Sequence, residues 1–237
     1  MDVGGVTVRN GDVMNFPAPL SFADRSLVLL ARWEPAARRT VDLLVVSVAL
    51  LVLAIPMLLV AMAIRLGTQG PALYRQQRVG LGGRPFTMYK FRTMRVGGSD
   101  AQHRELIARE LRGEDTSVRG SWKIDSDPRV TRIGSFLRRT SVDELPQLLN
   151  VLLGQMALVG PRPCLEWEAE MFPRKYAERF DVMPGLTGLW QVSGRSTMGT
   201  MEMLELDLSY ARNWSFWTDL TILVRTVPTL LRGHGAR

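Results

Sequence analysis

The chain has 237 residues, 46% of them hydrophobic, with a formal net charge of +7. That length suits one large domain or two small ones, the apolar content excludes wholesale disorder, and the charge calls for an anionic partner: nucleic acid, a lipid headgroup surface or a phosphorylated substrate. The lone Cys164 excludes an internal disulfide framework and a cysteine zinc site, and His103 and His234 are too few for a histidine cluster, so any metal is a hard ion on carboxylates. Nearly all the basic residues are arginine, with lysine only at Lys90, Lys123 and Lys175. Arginine suits bidentate phosphate binding; a GC-rich genome gives the same bias.

The first stretch, "GGVTVRNGDVMNFPAP", reads as a tail, and residues 26–37 as a short amphipathic segment with Trp33 suited to an interface. Residues 41–64, "VDLLVVSVALLVLAIPMLLVAMAI", hold one acid, Asp42, and reach the roughly 20 apolar residues a membrane span needs. The segment starts too far in and runs too long for a cleavable signal peptide. Arg32, Arg38 and Arg39 precede it, and Arg65, Arg75 and Arg78 follow, so both flanks prefer the cytoplasmic side. A helix that enters, bends at Pro56 and returns satisfies both flanks; an ordinary single span with a tolerated proline is the alternative.

Next, "GTQGPALYRQQRVGLGGRPFTMYKFRTM" combines Gly and Pro punctuation with alternating runs such as "FTMYKF", which predicts turns and a small hairpin. Residues 101–112 read as a polar surface helix, 121–127 as an acidic loop, 129–139 as a basic helix, 145–153 as a buried helix and 164–179 as an amphipathic helix. "MPGLTGLWQVSGRS" is a Gly-rich turn region with a short apolar strand or loop, and 201–213 is helical. The tail "NWSFWTDLTILVRTVPTLLR" fits a helix lying in the membrane interface, or an ordinary core helix. The expected class is α+β and mostly helical. Its parts are an extension (1–37), a re-entrant membrane helix kinked at Pro56 (38–66), and a compact cytosolic catalytic domain with a small β-hairpin and an interfacial C-terminal helix (67–237).

The chemistry centres on "TSVDELPQLLNVLLGQMALVGPRP". Ser141 and Glu144 have capping-box spacing, but Pro146 is tolerated only in a first turn, which favours Asp143 as N-cap and a helix starting at or just after it. By itself this describes two capping carboxylates. A helix N-terminus also keeps Asp143 ionised, and an ionised carboxylate can attack phosphorus. Around the pair stand Arg138 and Arg139 upstream, Lys90 beside Arg92 in "YKFRTM", and Arg162 held between two prolines. Such a set suits a diphosphate, with a divalent ion on the acid pair.

These motifs, "KFRTM", "LRRTSVDELPQLLNVLLGQMALVGPRP" and "PGLTGLWQVSGRS", resemble the bacterial sugar transferases, the monotopic phosphoglycosyl transferases, over roughly residues 38–231. The resemblance implies a membrane enzyme that moves a sugar-1-phosphate from a UDP-sugar to a polyprenol phosphate, usually undecaprenyl phosphate, and releases UMP. It implies that Asp143 is the nucleophile of a covalent phosphosugar intermediate, that Glu144 is a base or orienting group, and that Mg²⁺ binds near Asp143. It assigns phosphate binding to Lys90, Arg138 and Arg162, and nucleotide or sugar recognition to Gln191 and Arg195. Asp207 and Tyr210 match a C-terminal motif without a specified role. The family's re-entrant helix kinks at a Ser-Pro pair; here Ile55 precedes Pro56. Larger members carry a four-helix membrane domain upstream, so the chain resembles the minimal type. The implied location is the inner membrane of a bacterium with the catalytic domain on its cytoplasmic face; a homodimer is left open. Two rivals are a non-catalytic scaffold of glycan assembly, which the acid pair argues against, and a membrane-anchored nucleic-acid binder. No helix-turn-helix, RNP or zinc pattern supports the latter, and no nucleic-acid partner is expected.

Overall fold

A computed structural model describes residues 36–95, 101–116, 129–194 and 197–232. The acidic loop expected at 121–127, Arg195 and almost all of the amphipathic stretch at 26–37 lie outside these residues.

The apolar run forms one long helix, α1 (Ala36–Gly67), which continues through Pro56 as a single element. By length and composition it can cross a membrane. One stripe of it is covered. Arg38, Asp42, Val46 and Ile64 are buried, and Ala49, Leu50, Leu53, Met57, Val60 and Ala61 pack between them against the rest of the chain. These steps of three and four residues define one helical face. The opposite face, including Leu51, Val52, Ile55 and Leu58, is exposed and apolar.

The arginines around α1 are not simple flanking charges. Arg38 is buried and pairs with Asp219 at 2.8 Å, and Arg39 donates to the Val151 carbonyl at 2.8 Å. Arg78 is buried. Even Asp42 has a local partner, accepting from the Leu158 N–H at 3.4 Å.

After α1 comes the expected hairpin, β1 (Leu73–Val79) against β2 (Pro85–Phe91), antiparallel. Arg92 sits beyond it and closes the preceding turn, donating to the carbonyl of Gln69 at 2.7 Å and the hydroxyl of Thr68 at 2.7 Å. Its task is therefore structural. The surface helix α2 (Ala101–Leu111) and the basic helix α3 (Arg132–Thr140) follow as the sequence predicts. The buried helix is α4 (Gln147–Leu152). Its fully buried Asn150 joins it to the hairpin, donating to the Thr87 carbonyl at 2.7 Å and accepting from the Tyr89 N–H at 3.0 Å.

A second sheet has two short parallel strands, β3 (Ala157–Val159) and β4 (Gly185–Thr187). The Gly-rich region thus does contain a strand, while β3 was not distinguished from its apolar surroundings. The single helix expected at 164–179 is two pieces, α5 (Glu166–Met171) and a 3₁₀ segment (Arg174–Asp181). Pro173 separates them, since it lacks the N–H a continuous helix would use. The short α6 (Leu189–Ser193), then α7 (Thr200–Arg212) and α8 (Phe216–Arg232), complete the chain. α8 buries Ile222 in the core and exposes Phe216, Trp217, Leu220, Val224 and Val227, so it is both a core helix and an apolar surface.

Candidate active site

Helix α3 begins at Thr131, whose hydroxyl accepts from the Gly134 N–H at 2.9 Å, an N-cap. It ends at Ser141, whose φ of 58° makes it the one non-glycine residue at positive φ among the described residues. Such a backbone is uncommon for a side-chain-bearing residue and often marks a functional turn. Asp143 and Glu144 follow in a 3₁₀ turn, Val142–Glu144, and Pro146 is the residue before α4. The acid pair is therefore mounted in a connector between two helices, and Asp143 is not the N-cap of the buried helix. Proline supplies the reason: α4 starts only once Pro146 is passed.

Asp143 is buried and lines a cavity of about 450 Å³. Burial pushes its carboxyl up to about 6; Lys90 and Arg138 draw it back down, while Glu144 pushes it further up. Asp143 is still mostly ionised at neutral pH. Two cations and a backbone N–H thus oppose the rise that burial causes.

Glu144 collects the other cations. Lys90 Nζ lies 2.9 Å from its Oε1, and Arg162 lies 3.8 Å from the same oxygen. Burial lowers the Lys90 pKa, and Glu144 raises it again. Lys90, Arg138 and Arg162 all line the cavity with Asp143 and Glu144, so the structure brings these sequence-derived residues together. Arg139 does not line it.

Arg162 is held through its backbone. The Gly160 N–H donates to the Thr187 carbonyl at 2.8 Å, and the Pro161 carbonyl accepts from the Gly185 N–H at 2.9 Å. The Arg162 carbonyl accepts from Arg179 at 3.0 Å, and the Pro163 carbonyl from Arg78 at 3.3 Å. The Cys164 carbonyl accepts from the Val79 N–H at 2.9 Å. Five successive residues are thus pinned. The approach of β3 and β4 also requires small residues, since a Cβ on Gly160 or Gly185 would run into backbone.

Arg78 is the cavity residue that sequence reasoning misplaced. It is buried, lies 3.7 Å from Glu168, and its Nε has no hydrogen-bond partner. Burial lowers its pKa. A signal was available: the hairpin register pairs Arg78 with Phe86 and Tyr74 with Lys90, so strand alternation puts Arg78 and Lys90 on one face. Gln191 is buried and lines the cavity; Arg195 lies outside the described residues. Asp207 and Tyr210 do not reach the cavity. Asp207 pairs with Arg179, and the Tyr210 hydroxyl donates to Asp219 at 2.7 Å. Further cavity residues without a sequence signal are His103, Glu110, Glu168, Trp190 and Thr200.

The bacterial sugar transferase profile matches residues 33–233. The chain belongs to the bacterial sugar transferase family. It is 43% identical over 209 residues to a UDP-glucose:undecaprenyl-phosphate glucose-1-phosphate transferase of Caulobacter vibrioides, covering 84% of this chain and 71% of that protein. It is 40% identical over 203 residues to an undecaprenyl-phosphate galactose phosphotransferase of Salmonella typhimurium, covering 84% and 41%. It is 38% identical over 200 residues to the exopolysaccharide production protein ExoY of Rhizobium meliloti, covering 84% and 88%. The chain thus spans less than half the length of several of the curated relatives it matches.

The donor set of the site suits Mg²⁺ in one particular way. Among the described residues no group of three or more His, Cys, Asp or Glu side chains converges. A closed protein cage is therefore not on offer. Mg²⁺ commonly takes one or two carboxylates and completes its shell with phosphate oxygens and water. Asp143 in a cavity lined by cations fits that role, while Glu144 is already engaged with Lys90 and Arg162.

Proposed function

We propose that the protein transfers a sugar-1-phosphate from a UDP-sugar to a polyprenol phosphate such as undecaprenyl phosphate, releasing UMP. The observation that carries this reading is the buried Asp143 in a cavity with Lys90, Arg138 and Arg162. One carboxylate that is ionised at neutral pH and several cations suit a nucleophile facing a diphosphate. Relatives whose names specify UDP-glucose or undecaprenyl phosphate supply the two substrates.

In the first step an Asp143 oxygen attacks the β-phosphorus of the donor. The bond from that phosphorus to the bridging oxygen breaks, and UMP leaves with the electron pair. In the second step an oxygen of the lipid phosphate attacks the same phosphorus, the Asp143–phosphorus bond breaks, and the carboxylate is restored. Arg162 and Lys90 hold the phosphate oxygens as charge builds on them. Arg138 sustains the ionised form of Asp143. Glu144 orients Lys90 and Arg162. Asp143 would hold Mg²⁺, which would supply charge neutralisation to the phosphates when bound.

The reading extends to the membrane. Both ends of α1 pack on the same domain, through Arg38 at one end and Ile64 at the other. A helix crossing the bilayer would carry one end roughly 30 Å away. The proposed entry and return on one side, with the exposed face in lipid, asks for a bend at Pro56, where the missing backbone N–H supplies a cause. The arginine-rich chain beside it favours the cytoplasmic face.

The test is UMP release from protein in nanodiscs with Mg²⁺, undecaprenyl phosphate and a panel of UDP-sugars. UMP from one donor, absent in Asp143→Asn, is the expected result. Folded protein that releases none with any donor overturns the reading and leaves a scaffold of glycan assembly.

A further inference from the structure

The cavity does not end at the cations. Leu145, Leu158, Leu186 and Leu223 also line it, with Thr187 and Thr226 beside them. Leu223 and Thr226 belong to α8, and Leu186 and Thr187 to β4. The Thr226 hydroxyl donates to the Ile222 carbonyl at 2.7 Å. In the 2.8 Å contact between the two threonines, Thr187 is therefore the donor. A leucine wall tied by one threonine pair closes this side of the cavity.

The other side of α8 is the apolar surface already described, with Trp217 71% and Val224 64% exposed. A single helix thus separates the site of Asp143 from an exposed apolar face. The rest of the cavity lining is mixed: Glu110, Glu168, His103 and Thr200 stand among Leu106, Ile107, Phe172 and Met203.

We propose that the wall between β4 and α8 seats the first isoprenoid units of the lipid-phosphate acceptor, with its phosphate toward Asp143 and its chain leaving past Leu223 along α8. The proposal rests on the transfer reaction above. A polyprenol phosphate is an anion joined to a long hydrocarbon chain, and the cavity offers cations and leucines in one continuous space. A UDP-sugar carries no hydrocarbon chain and gains little from the leucines; its sugar hydroxyls can instead donate to acceptors such as Glu110 and Glu168 elsewhere in the lining. A long prenyl chain does not fit within about 450 Å³. Most of it must lie outside, and the exposed face of α8 is the neighbouring apolar surface.

The test measures KM for each substrate separately, by UMP release from the full chain in nanodiscs. The acceptors are undecaprenyl phosphate and a short prenyl phosphate. Leu223→Gln is expected to raise KM for both acceptors about tenfold or more, the scale of a lost apolar contact, while KM for the donor stays the same; because Leu223 also packs on the core, the unfolding temperature falls somewhat. Leu223→Phe, which keeps the wall apolar but narrows it, is expected to raise the acceptor KM as well and covers the case in which Leu223→Gln does not fold. An unchanged acceptor KM in a folded variant, or equal shifts for donor and acceptor, would overturn the proposal. Failure of the transfer reading is distinct, because the unmutated protein would then release no UMP at all.

Discussion

Arg179 donates to Asp207 at 2.7 Å, with both side chains only 2% exposed. The same guanidinium donates to the Arg162 carbonyl at 3.0 Å and to Cys164 Sγ at 3.3 Å. Asp207 is therefore tied to the site through the backbone that carries Arg162. Removing one partner of a buried pair strands the other charge, at a cost of about 3–5 kcal/mol. Asp207→Asn is expected to lower the unfolding temperature strongly and to weaken UMP release. Replacing both residues with apolar ones (Arg179→Met with Asp207→Leu) should restore much of the stability but not the activity, because the Arg162 carbonyl loses its donor. Thermal unfolding and turnover, measured on the single and double variants, check both parts.

Asp143 gives a pH prediction. Its folded pKa, about 6, lies above the ordinary aspartate value of about 3.9. The folded state therefore holds its proton more tightly than the unfolded one. The Asp143 contribution to stability is fully present below the unfolded value and is lost as pH rises through about 6, the reverse of an ordinary paired carboxylate. Asp143→Asn removes that penalty, so it should abolish UMP release while stabilising the fold at neutral pH by up to about 3 kcal/mol. In the unmutated protein, turnover should fall as pH drops below about 6, where the nucleophile is neutral. A pH–rate profile and the unfolding temperature of the variant test the two statements.

Much of this was legible in the sequence, for identifiable reasons. The hairpin showed in the alternation of "FTMYKF", and α1 in its uninterrupted apolar run. Asp143, Glu144, Arg138 and Arg162 showed as charges near one helix boundary and Lys90 through the motif "YKFRTM", and all five line one cavity. What was lost depends on tertiary contact. β3 is three residues, Ala157–Val159, too short for a period to show. Arg78 looked like a membrane flank because its neighbours in sequence are near the membrane segment, whereas the hairpin turns it toward Lys90. Asp207 and Tyr210 were noticed without a role, because their partners Arg179 and Asp219 are fixed only by how α7 and α8 pack. The helix start at Asp143 was misjudged because α4 starts only once Pro146 is passed.

Glu144 holds Lys90 and Arg162 by the same oxygen, which separates two kinds of variant. Arg162→Lys keeps a positive charge but loses the planar fork that can bind two phosphate oxygens. It should raise the donor KM and lower turnover together, with little change in unfolding temperature because Arg162 is 39% exposed. Glu144→Gln leaves Lys90 and Arg162 in place but frees them from their common acid. If Glu144 orients, the loss should be similar at every pH; if it serves as a base, the loss should track the titration of one group. Donor KM and turnover across pH for the two variants decide between them.

The last relationship concerns how α1 is anchored. Arg38 pairs with Asp219 at 2.8 Å and donates to the Val159 carbonyl at 2.5 Å. Tyr210 and the Trp214 indole N–H, the latter at 3.0 Å, bind the same Asp219 carboxylate. One carboxylate at the start of α8 thus joins the start of α1, β3 and the end of α7. Asp219→Asn keeps the shape but strands the buried Arg38 charge. The expected loss of stability is again about 3–5 kcal/mol. The break should show first at the α1 end, as faster proteolysis near residues 36–42 in nanodiscs. Loss of the whole fold in one step, with no earlier cleavage there, would show that α1 and the catalytic domain unfold as one unit.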